Sequence, residues 1–461
     1  MTIGRESLFG MTAATKARLL SRFAEQRHDA DPTPEAGRAR PPLGDAGVRA
    51  DLRLMHDAGA LLGIESPFFR PHDGLAGAET RIAGQDLLNF SSYNYLGLNG
   101  HPVVAAAAKA AIDRYGTSVS ASRIVSGERR LHRELEASLA ALYGTADCLV
   151  LVSGHATNVT VIGHLMAAGD VVVHDALAHN SIVQGAVLSG AQRLSFPHND
   201  IDALDRQLAG LRGRVKRMLV VVEGHYSMDG DIPDLPRLVA TVRRHGAYLM
   251  VDEAHSLGVL GAGGTGIAEH SGVDPNAVDI WMGTLSKTLS GCGGYIAASQ
   301  DIVDYLRCSA PGFVYSVGLS PPLAAASLAA LGVMRAEPER VVRLNANGQA
   351  FLSAAKSAGL NTGTSIGSAI VPVIVGSSIG ASRAAQRLFR RGVNVQPILY
   401  PAVPERAARL RFFLSSEHTP GQIERAVSET ATAVREAQAE KVPLAGLPWR
   451  WAPVAAEPIT V

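Results

Sequence analysis

The sequence is poor in cysteine and has almost no excess of either charge. Cys148, Cys292 and Cys308 are the three cysteines among 461 residues, and no two have metal-ligand spacing. This number argues against a disulfide framework and predicts a reducing, cytoplasmic location without a metal site. The formal net charge is +1, so no overall field attracts nucleic acid or an acidic membrane. We therefore expect neither as a partner.

Long apolar runs are also missing. No stretch approaches 18 uncharged apolar residues, and residues 1–10 lack the basic and apolar blocks of a secretory signal. Hydrophobic residues nevertheless make up 47% of the chain and charged residues 18%, which fits a globular protein with a sizeable core. Because 461 residues exceed one compact core, we expect a large domain with smaller ones beside it.

Composition changes along the chain predict five segments. A basic amphipathic helix at 11–27 precedes a proline-rich linker, and four prolines with two tryptophans mark the C-terminal end. The predicted segments are an N-terminal helix and linker arm (1–50), a segment leading into the first domain (51–100), a large domain (101–330), a small C-terminal α/β domain (331–440) and a tail (441–461).

Apolar runs alternate with helical periodicity inside the large segment. The predicted strands are at 148–152, 171–174, 218–222, 248–251, 280–282 and 295–298. The predicted helices are at 102–115, 130–142, 156–168, 180–189 and 234–245. Nearly continuous Val, Leu and Ile in the strands predict a mostly parallel sheet that helices cover on both faces.

The strongest chemical signal is a pair of polar segments that follow two apolar strands. Asp252-Glu253-Ala254-His255-Ser256 follows one strand, and Gly283-Thr284-Leu285-Ser286-Lys287-Thr288 follows the next. Because the carboxyl ends of parallel strands meet at a ligand crevice, we expect Asp252 and Lys287 at one site.

Lys287 and Asp252 suit a cofactor with an aldehyde and a pyridine ring. Burial weakens the preference of a lysine amine for its charged form, and a neutral amine forms a Schiff base with an aldehyde. An aspartate nearby pairs with a protonated pyridine nitrogen and keeps the ring electron-poor. Taken alone, each residue would favour a simpler explanation, in which Asp252 caps a turn and Lys287 is a solvated side chain. Their positions at two strand ends favour the cofactor site.

Other polar residues lie at similar positions. Gly154 and His155 open a predicted helix, where exposed backbone N–H groups suit a phosphate. Ser227 and Thr284 offer hydroxyl groups to the phosphate or the ring. His179 follows a strand, where a flat ring can stack on a cofactor, although a lone histidine is more often structural.

These segments together resemble the α-oxoamine synthases, which are fold-type I pyridoxal-phosphate enzymes. The resemblance covers most of the chain, from about residue 89 to 437, and its ordered motifs are more specific than any one of them. The motifs are NFSSYNYLGL from Asn89, residues 127–136, EGHYSMDG from Glu223, DEAHS from Asp252, Lys287 and Tyr315-Ser316. The implied fold is a fold-type I PLP-dependent transferase of the α/β class, with a mostly parallel central sheet and a smaller C-terminal α/β domain.

The resemblance also implies roles around the ring of pyridoxal 5'-phosphate. Lys287 would hold this cofactor covalently and move the substrate protons. Asp252 would pair with the pyridine nitrogen, His255 would contact the phenolic oxygen, and His179 would stack on the ring face.

Further roles follow for the phosphate and the substrate. Gly154 and His155 would offer backbone donors to the phosphate, with Thr284 assisting. Asn94 and Arg411 would lie near the substrate carboxylate, which an arginine fork binds through two hydrogen bonds. The family commonly has a threonine, contributed by the neighbouring subunit, where this chain has Val317.

The implied reaction condenses a small amino acid with an acyl thioester and releases carbon dioxide and a thiol, giving an α-amino ketone. The implied assembly is a homodimer. Residues 66–74 and 80–82 are similar to synthases of polyketide assembly lines, which favours an acyl-carrier protein over acyl-CoA as donor. An aminotransferase or aldolase on the same fold, and a non-catalytic partner subunit, are the alternatives. Residue types alone do not select the amino acid or the acyl length.

Overall fold

The computed structural model describes residues 62–440 and scattered positions between 43 and 60. The predicted helix at 11–27, most of the linker after it and the predicted tail at 441–461 lie outside these residues. Within the described part of the chain, no helix combines the length and hydropathy that a membrane span needs.

Strands and helices alternate along the described chain. The strands are β1 (Glu79–Ile82), β2 (Gln85–Asn89), β3 (Asp147–Leu151), β4 (Val171–Asp175), β5 (Gln192–Phe196), β6 (Met218–Glu223), β7 (Tyr248–Asp252), β8 (Ile280–Thr284), β9 (Gly294–Ala298), β10 (Ile370–Ile374), β11 (Val393–Asn394), β12 (Gln396–Ile398) and β13 (Arg409–Phe413). The α-helices are α1 (Pro102–Tyr115), α2 (Arg130–Tyr143), α3 (Gly154–Leu165), α4 (Asn180–Ser189), α5 (Ile201–Leu211), α6 (Leu235–Arg244), α7 (Ile267–Ser271), α8 (Gln300–Ser309), α9 (Pro311–Val314), α10 (Pro321–Ala336), α11 (Glu339–Ser357), α12 (Ser378–Arg390) and α13 (Pro420–Ala439).

The central sheet has seven strands in the order β3-β9-β8-β7-β6-β4-β5. Strands β5, β4, β6, β7 and β8 pair in parallel, and β9 runs antiparallel to both β8 and β3. The prediction of a mostly parallel sheet is therefore confirmed.

Both faces of this sheet are buried, which explains its continuous apolar strands. In β4, Val171 and Val173 pack into one hydrophobic core and Val172 into a second core on the opposite face. All three side chains are fully buried. Because successive side chains point to opposite faces, each strand supplies both cores. Burial of each valine stabilises the fold by about 1.5–3 kcal/mol.

Several elements were absent from the sequence prediction, among them one strand of the central sheet, and one helix was displaced. The edge strand β5 exposes Gln192, Arg193 and Ser195, so it lacks the apolar run of the inner strands. Helix α5 after it was also missed. Helix α3 begins at Gly154 rather than at 156, because the Ser153 hydroxyl caps it by accepting a hydrogen bond from the Ala156 N–H.

Two three-stranded sheets complete the described fold. Strands β10, β13 and β12 form an antiparallel sheet in the C-terminal part, where α11, α12 and α13 lie. This bears out the expected smaller α/β domain, whereas the limits at 330 and 440 remain predictions. The other sheet joins distant parts of the chain, because β2 pairs with β1 and, in parallel, with β11 through Leu88 and Val393.

Candidate active site

Seven of the predicted site residues line one cavity at the carboxyl ends of the central strands. Strand β7 pairs with β6 so that Asp252 faces Glu223, and with β8 so that Asp252 faces Met282. A cavity of about 290 Å³ opens beside these strand ends. The predicted residues in its lining are Gly154, His155, His179, Asp252, His255, Thr284 and Lys287.

Lys287 lies on the short connection between β8 and β9 and reaches this cavity. Its amine is 5.5 Å from the centre of the Tyr93 ring. Loss of water around the amine lowers the pKa of Lys287 to about 8, although the charges of Asp252 and Glu223 act in the opposite direction. A substantial fraction of the amine is therefore neutral near pH 8, as a nucleophile or proton acceptor requires.

Asp252 is held as an oriented, buried carboxylate. Its side chain is buried and lines the cavity. Oδ1 accepts a hydrogen bond from the Ala254 N–H at 2.9 Å, and Oδ2 accepts one from Asn158 Nδ2 at 2.8 Å. These two contacts hold the carboxyl group in one orientation towards any ligand in the cavity.

His179 is connected to the same carboxylate through two side chains. Asn158 Nδ2 also donates to Ser181 Oγ at 2.9 Å, and Ser181 Oγ lies 2.7 Å from His179 Nδ1. The Ser181 N–H donates to Nδ1 as well, at 3.2 Å. Burial lowers the pKa of His179, so the ring is neutral. Because Nδ1 accepts, we assign the ring proton to Nε2.

His255 is fixed by a comparable contact on the other side of the site. Its Nδ1 lies 2.7 Å from the Tyr95 hydroxyl, and both side chains are buried. Burial lowers the pKa of His255 well below its ordinary value and raises the pKa of Tyr95 well above its own. We assign the proton of this hydrogen bond to the Tyr95 hydroxyl, so that Nδ1 accepts. The Nε2–H of His255 is then left as a donor.

The first turn of α3 forms the end of the cavity that suits a phosphate. A Cβ atom on Gly154 would lie 2.8 Å from Thr284 Oγ1, so only glycine fits without a shift there. The backbone N–H groups of this turn have no partner within the helix and favour an anion. Thr284 Oγ1 lies 3.0 Å from the Gly293 carbonyl and donates to it, so its assistance to a phosphate stays a prediction.

Three predicted residues lie outside the lining of this cavity. Ser227 is buried, and its carbonyl accepts a hydrogen bond from an Arg411 terminal nitrogen at 3.1 Å. The Arg411 guanidinium lies 4.5 Å from the centre of the Phe413 ring. Its positive charge acts to lower the pKa of Lys287. Its buried Nε has no hydrogen-bond partner among the residues described. Asn94 lines a second cavity, of about 350 Å³, that shares Ser286 and Lys287 with the first.

Three supporting residues were not singled out from the sequence. Glu223 is buried at a strand end and lines the first cavity; burial and then the Asp252 charge raise the pKa of Glu223 to about 8. Its position at a strand end was a usable signal. Asn158 lies one helical turn after Gly154, which was a usable signal too. The contact of Tyr95 with His255 has no local signal, because 160 positions separate the two residues.

The arrangement fits pyridoxal phosphate. It combines an amine of lowered pKa, a fixed carboxylate, two neutral imidazoles and a helix start suited to a phosphate. Two further polar atoms in the cavity wall, Asn158 Oδ1 and Glu223 Oε1, are buried and have no partner among the described side chains. A polar ligand can satisfy such atoms, whereas an apolar ligand cannot.

Comparisons with known proteins agree with this chemistry. Residues 85–429 match the family described as aminotransferase class I and II. The 8-amino-7-oxononanoate synthase of Geobacter sulfurreducens is 43% identical over 365 residues, which cover 79% of this chain and 93% of that protein. The protein of the same name from Geobacter metallireducens is 43% identical over 356 residues, covering 77% and 90%.

Solved structures give the same result. Serine palmitoyltransferase of Sphingomonas wittichii superposes with a TM-score of 0.81 at 31% identity, covering 86% of this chain and all of that one. A serine palmitoyltransferase structure that contains PLP has the same TM-score and identity. The chain therefore belongs to the class I and II aminotransferase family and, within it, to the α-oxoamine synthases, which are PLP-dependent acyltransferases.

Proposed function

We propose that this enzyme condenses a small amino acid with an acyl thioester, carried by an acyl-carrier protein or by coenzyme A, and releases carbon dioxide and a free thiol. The observation that carries the proposal is the position of Lys287 between two cavities, which share its side chain and Ser286. One cavity has the cofactor-binding groups. The other offers space for a second substrate next to the same amine.

The chain's own residues have distinct tasks in this proposal. Pyridoxal phosphate, when bound, supplies an electron sink for charge that develops at the substrate α-carbon. Lys287 removes and returns the proton at that carbon, for which a pKa of about 8 is suitable. Asp252 would keep the pyridine nitrogen protonated, the Nε2–H of His255 would donate to the phenolic oxygen, and the neutral His179 ring would pack on the cofactor face.

Arg411 and Asn94 are proposed to bind the carboxylate of the amino acid. Arg411 Nε and Asn94 Nδ2 are buried donors without a partner in the part of the chain that is described. A carboxylate placed between them would satisfy both. Charge-assisted hydrogen bonds from arginine to carboxylate are about twice as strong as neutral ones. This pair would hold the group until it leaves as carbon dioxide.

The proposed assembly is a homodimer. Val125 is 79% exposed, Tyr315 85% and Val317 49%. The backbone N–H of Gly318, next to Val317, donates to the Ala121 carbonyl, which brings the two exposed apolar segments to the same part of the surface. An exposed apolar patch is typical of an interface. We expect sedimentation analysis to give a dimer that Val125→Glu and Tyr315→Glu weaken, whereas a monomeric wild type would contradict this assembly.

The test of the proposed reaction has two steps. Absorption spectra with pyridoxal phosphate, titrated with glycine, alanine and serine, should show a cofactor band in the wild type that shifts with one amino acid and is altered in Lys287→Ala. Thiol release from acyl-CoA and acyl-carrier donors should then occur only with that amino acid. Transfer of the amino group to a keto acid without thiol release would overturn the proposal in favour of an aminotransferase.

A further inference from the structure

A histidine held between two aspartates lies where strands β4 and β5 end. His198 Nδ1 is 2.8 Å from Asp175 Oδ1, and its Nε2 is 3.0 Å from Asp231 Oδ2. Both aspartates are buried, and His198 is half-buried. Burial acts to lower the pKa of His198, but the hydrogen bonds with Asp175 and Asp231 outweigh this effect and raise the pKa to about 10. At neutral pH the ring is therefore an imidazolium that donates from both nitrogens.

Asp175 connects His198 to the turn that ends at His179. The Asp175 Oδ1 atom also accepts a hydrogen bond from the Leu177 N–H at 2.8 Å, and the Asp175 carbonyl accepts one from the Ala178 N–H at 3.1 Å. These bonds close the turn, and the next residue, His179, caps helix α4 with its own ring. The carboxylate that binds His198 thus also shapes the turn that places the His179 ring in the cofactor cavity.

Asp231 connects His198 to a loop that supports Arg411. The Asp231 carbonyl accepts a hydrogen bond from the Tyr226 N–H at 2.9 Å, so these two residues form the base of the loop. The His198 ring also packs edge-on against the Tyr226 ring, with centroids 4.5 Å apart. Within the loop, the Ser227 carbonyl accepts the hydrogen bond from Arg411 at 3.1 Å. His198 therefore contacts both residues at the base of the loop on which Arg411 rests.

We propose that His198 is a positioning residue that fixes His179 and Arg411 relative to each other through its two aspartates. The inference rests on the proposed function, in which His179 packs on the cofactor and Arg411 binds the substrate carboxylate. His198 lines neither of the two cavities that share Lys287, so it acts on both ligands only through other residues. Charge-assisted hydrogen bonds such as these are about twice as strong as neutral ones, which suits them to hold two segments in place.

The test is a comparison of two dissociation constants in three variants. The Kd of pyridoxal phosphate is measured by titration of the apoenzyme, and the Kd of the amino acid by the shift of the cofactor band. Asp175→Asn should raise the Kd of pyridoxal phosphate, and Asp231→Asn should raise that of the amino acid. His198→Gln should raise both. Each increase should be about three- to tenfold, as for residues that act on a ligand through a hydrogen-bond network.

His245→Gln is the matched control. His245 Nε2 is 2.7 Å from Asp205 Oδ1 on helix α5, so this variant also loses a histidine–aspartate hydrogen bond, but one outside both cavities. Both Kd values should stay at the wild-type level, even if the thermal unfolding midpoint falls. The same result for His198→Gln would overturn the inference, because it would show a role in stability alone.

The two aspartate variants keep the inference testable if His198→Gln does not fold. Effects on different ligands would support it, whereas the same change in both variants, or no change in either, would overturn it. The proposed function fails separately, if glycine, alanine and serine all leave the cofactor band of the wild type unshifted. In that case the Kd of pyridoxal phosphate still tests the connection from His198 to His179.

Discussion

Two buried charge clusters in this protein are built in opposite ways. Arg123 is buried among carboxylates: it donates to both Glu128 oxygens at 2.5 and 2.8 Å and to both Glu136 oxygens at 2.5 and 3.0 Å. Burial acts to lower its pKa, but the hydrogen bonds to Glu128 and Glu136 outweigh this and raise the pKa of Arg123. Nearly every bonding position in this cluster is occupied by protein.

The cluster at Lys287 is left incomplete. Lys287 makes no salt bridge among the described residues, and Asp252 and Glu223 face the same cavity at its side. Water is removed without full pairing, so the pKa of Lys287 falls and that of Glu223 rises. The comparison teaches that full pairing stabilises a charge and the fold around it, whereas partial pairing leaves groups that a ligand can use.

The largest expected effect is the loss of catalysis when the amine of Lys287 is removed. Lys287→Ala should lower the rate of thiol release by about 10⁴-fold or more, because the covalent attachment and the proton carrier are both lost. Its thermal unfolding midpoint should stay close to that of the wild type, since no salt bridge is broken. Lys109→Ala, on the surface helix α1, is the control for the substitution. Retained activity in Lys287→Ala would contradict the assigned role.

In the Arg123 cluster, a substitution should lower the stability of the fold. Arg123→Met leaves Glu136 buried with its negative charge less compensated, and such losses cost about 3–5 kcal/mol. We expect urea unfolding to show this decrease in the free energy of unfolding. Combining Arg123→Met with Glu136→Gln should recover part of it, because the unpaired charge is removed. A stable Arg123→Met single variant would show that the cluster does not stabilise the fold.

The raised pKa of Glu223 predicts that the free energy of unfolding depends on pH. Burial, followed by the Asp252 charge, raises its pKa from 4.5 to about 8. Between these values the folded chain keeps a proton that the unfolded chain has lost, so wild-type stability should fall as pH rises from about 4.5 to 8. Glu223→Gln removes this contribution, which is on the order of 5 kcal/mol across the window. The lowered pKa of Lys287 acts only above about pH 8, with the opposite sign.

The measurement is the free energy of unfolding in urea at pH 5, 6.5 and 8. Glu134→Gln, at an exposed position of α2, is the matched control and should keep the wild-type pH dependence. If wild type and Glu223→Gln change in parallel with pH, the proposed protonation of Glu223 is wrong.

The smallest expected effect concerns Tyr95. Tyr95→Phe removes the donor to His255 Nδ1 and leaves that nitrogen buried and unpaired, which costs about 1–3 kcal/mol. The His255 ring then has less preference for carrying its proton on Nε2, the atom proposed to donate to the phenolic oxygen of the cofactor. The absorption maximum of the PLP-loaded enzyme should therefore shift. Tyr305→Phe, on the surface helix α8, is the control. An unchanged spectrum would mean that Tyr95 does not determine the His255 proton position.

The sequence predicted the parts of the site that depend on strand order. Asp252 and Lys287 were placed together because each follows a buried apolar strand, and the ends of β7 and β8 do meet. The resemblance predicted the fold class and pyridoxal phosphate, and the fold, the family match and the related structures confirm both. The exposed edge strand β5 was missed because its polar residues hide the apolar pattern on which strand prediction depends.

Contacts between distant segments were beyond sequence reasoning. The second cavity joins residues 72–99 to 286–291, and no local periodicity indicates that these segments meet. The Tyr95–His255 contact and the pairing of β2 with β11 are of the same kind. Such contacts follow from the packing of the whole chain, and pattern analysis of one segment at a time does not contain them.

The connection that carries Lys287 has a consequence for insertions and deletions. Its two ends are paired in adjacent strands, Thr284 with Gly294, and Gly291 bonds back to Leu285 inside it. An extra residue spans up to about 3.3–3.6 Å of chain and would displace the amine from the cavity by a comparable distance. Surface loops elsewhere tolerate added length at little cost in free energy. Aligned relatives with the same chemistry should therefore keep the length between these two strands constant while their surface loops vary.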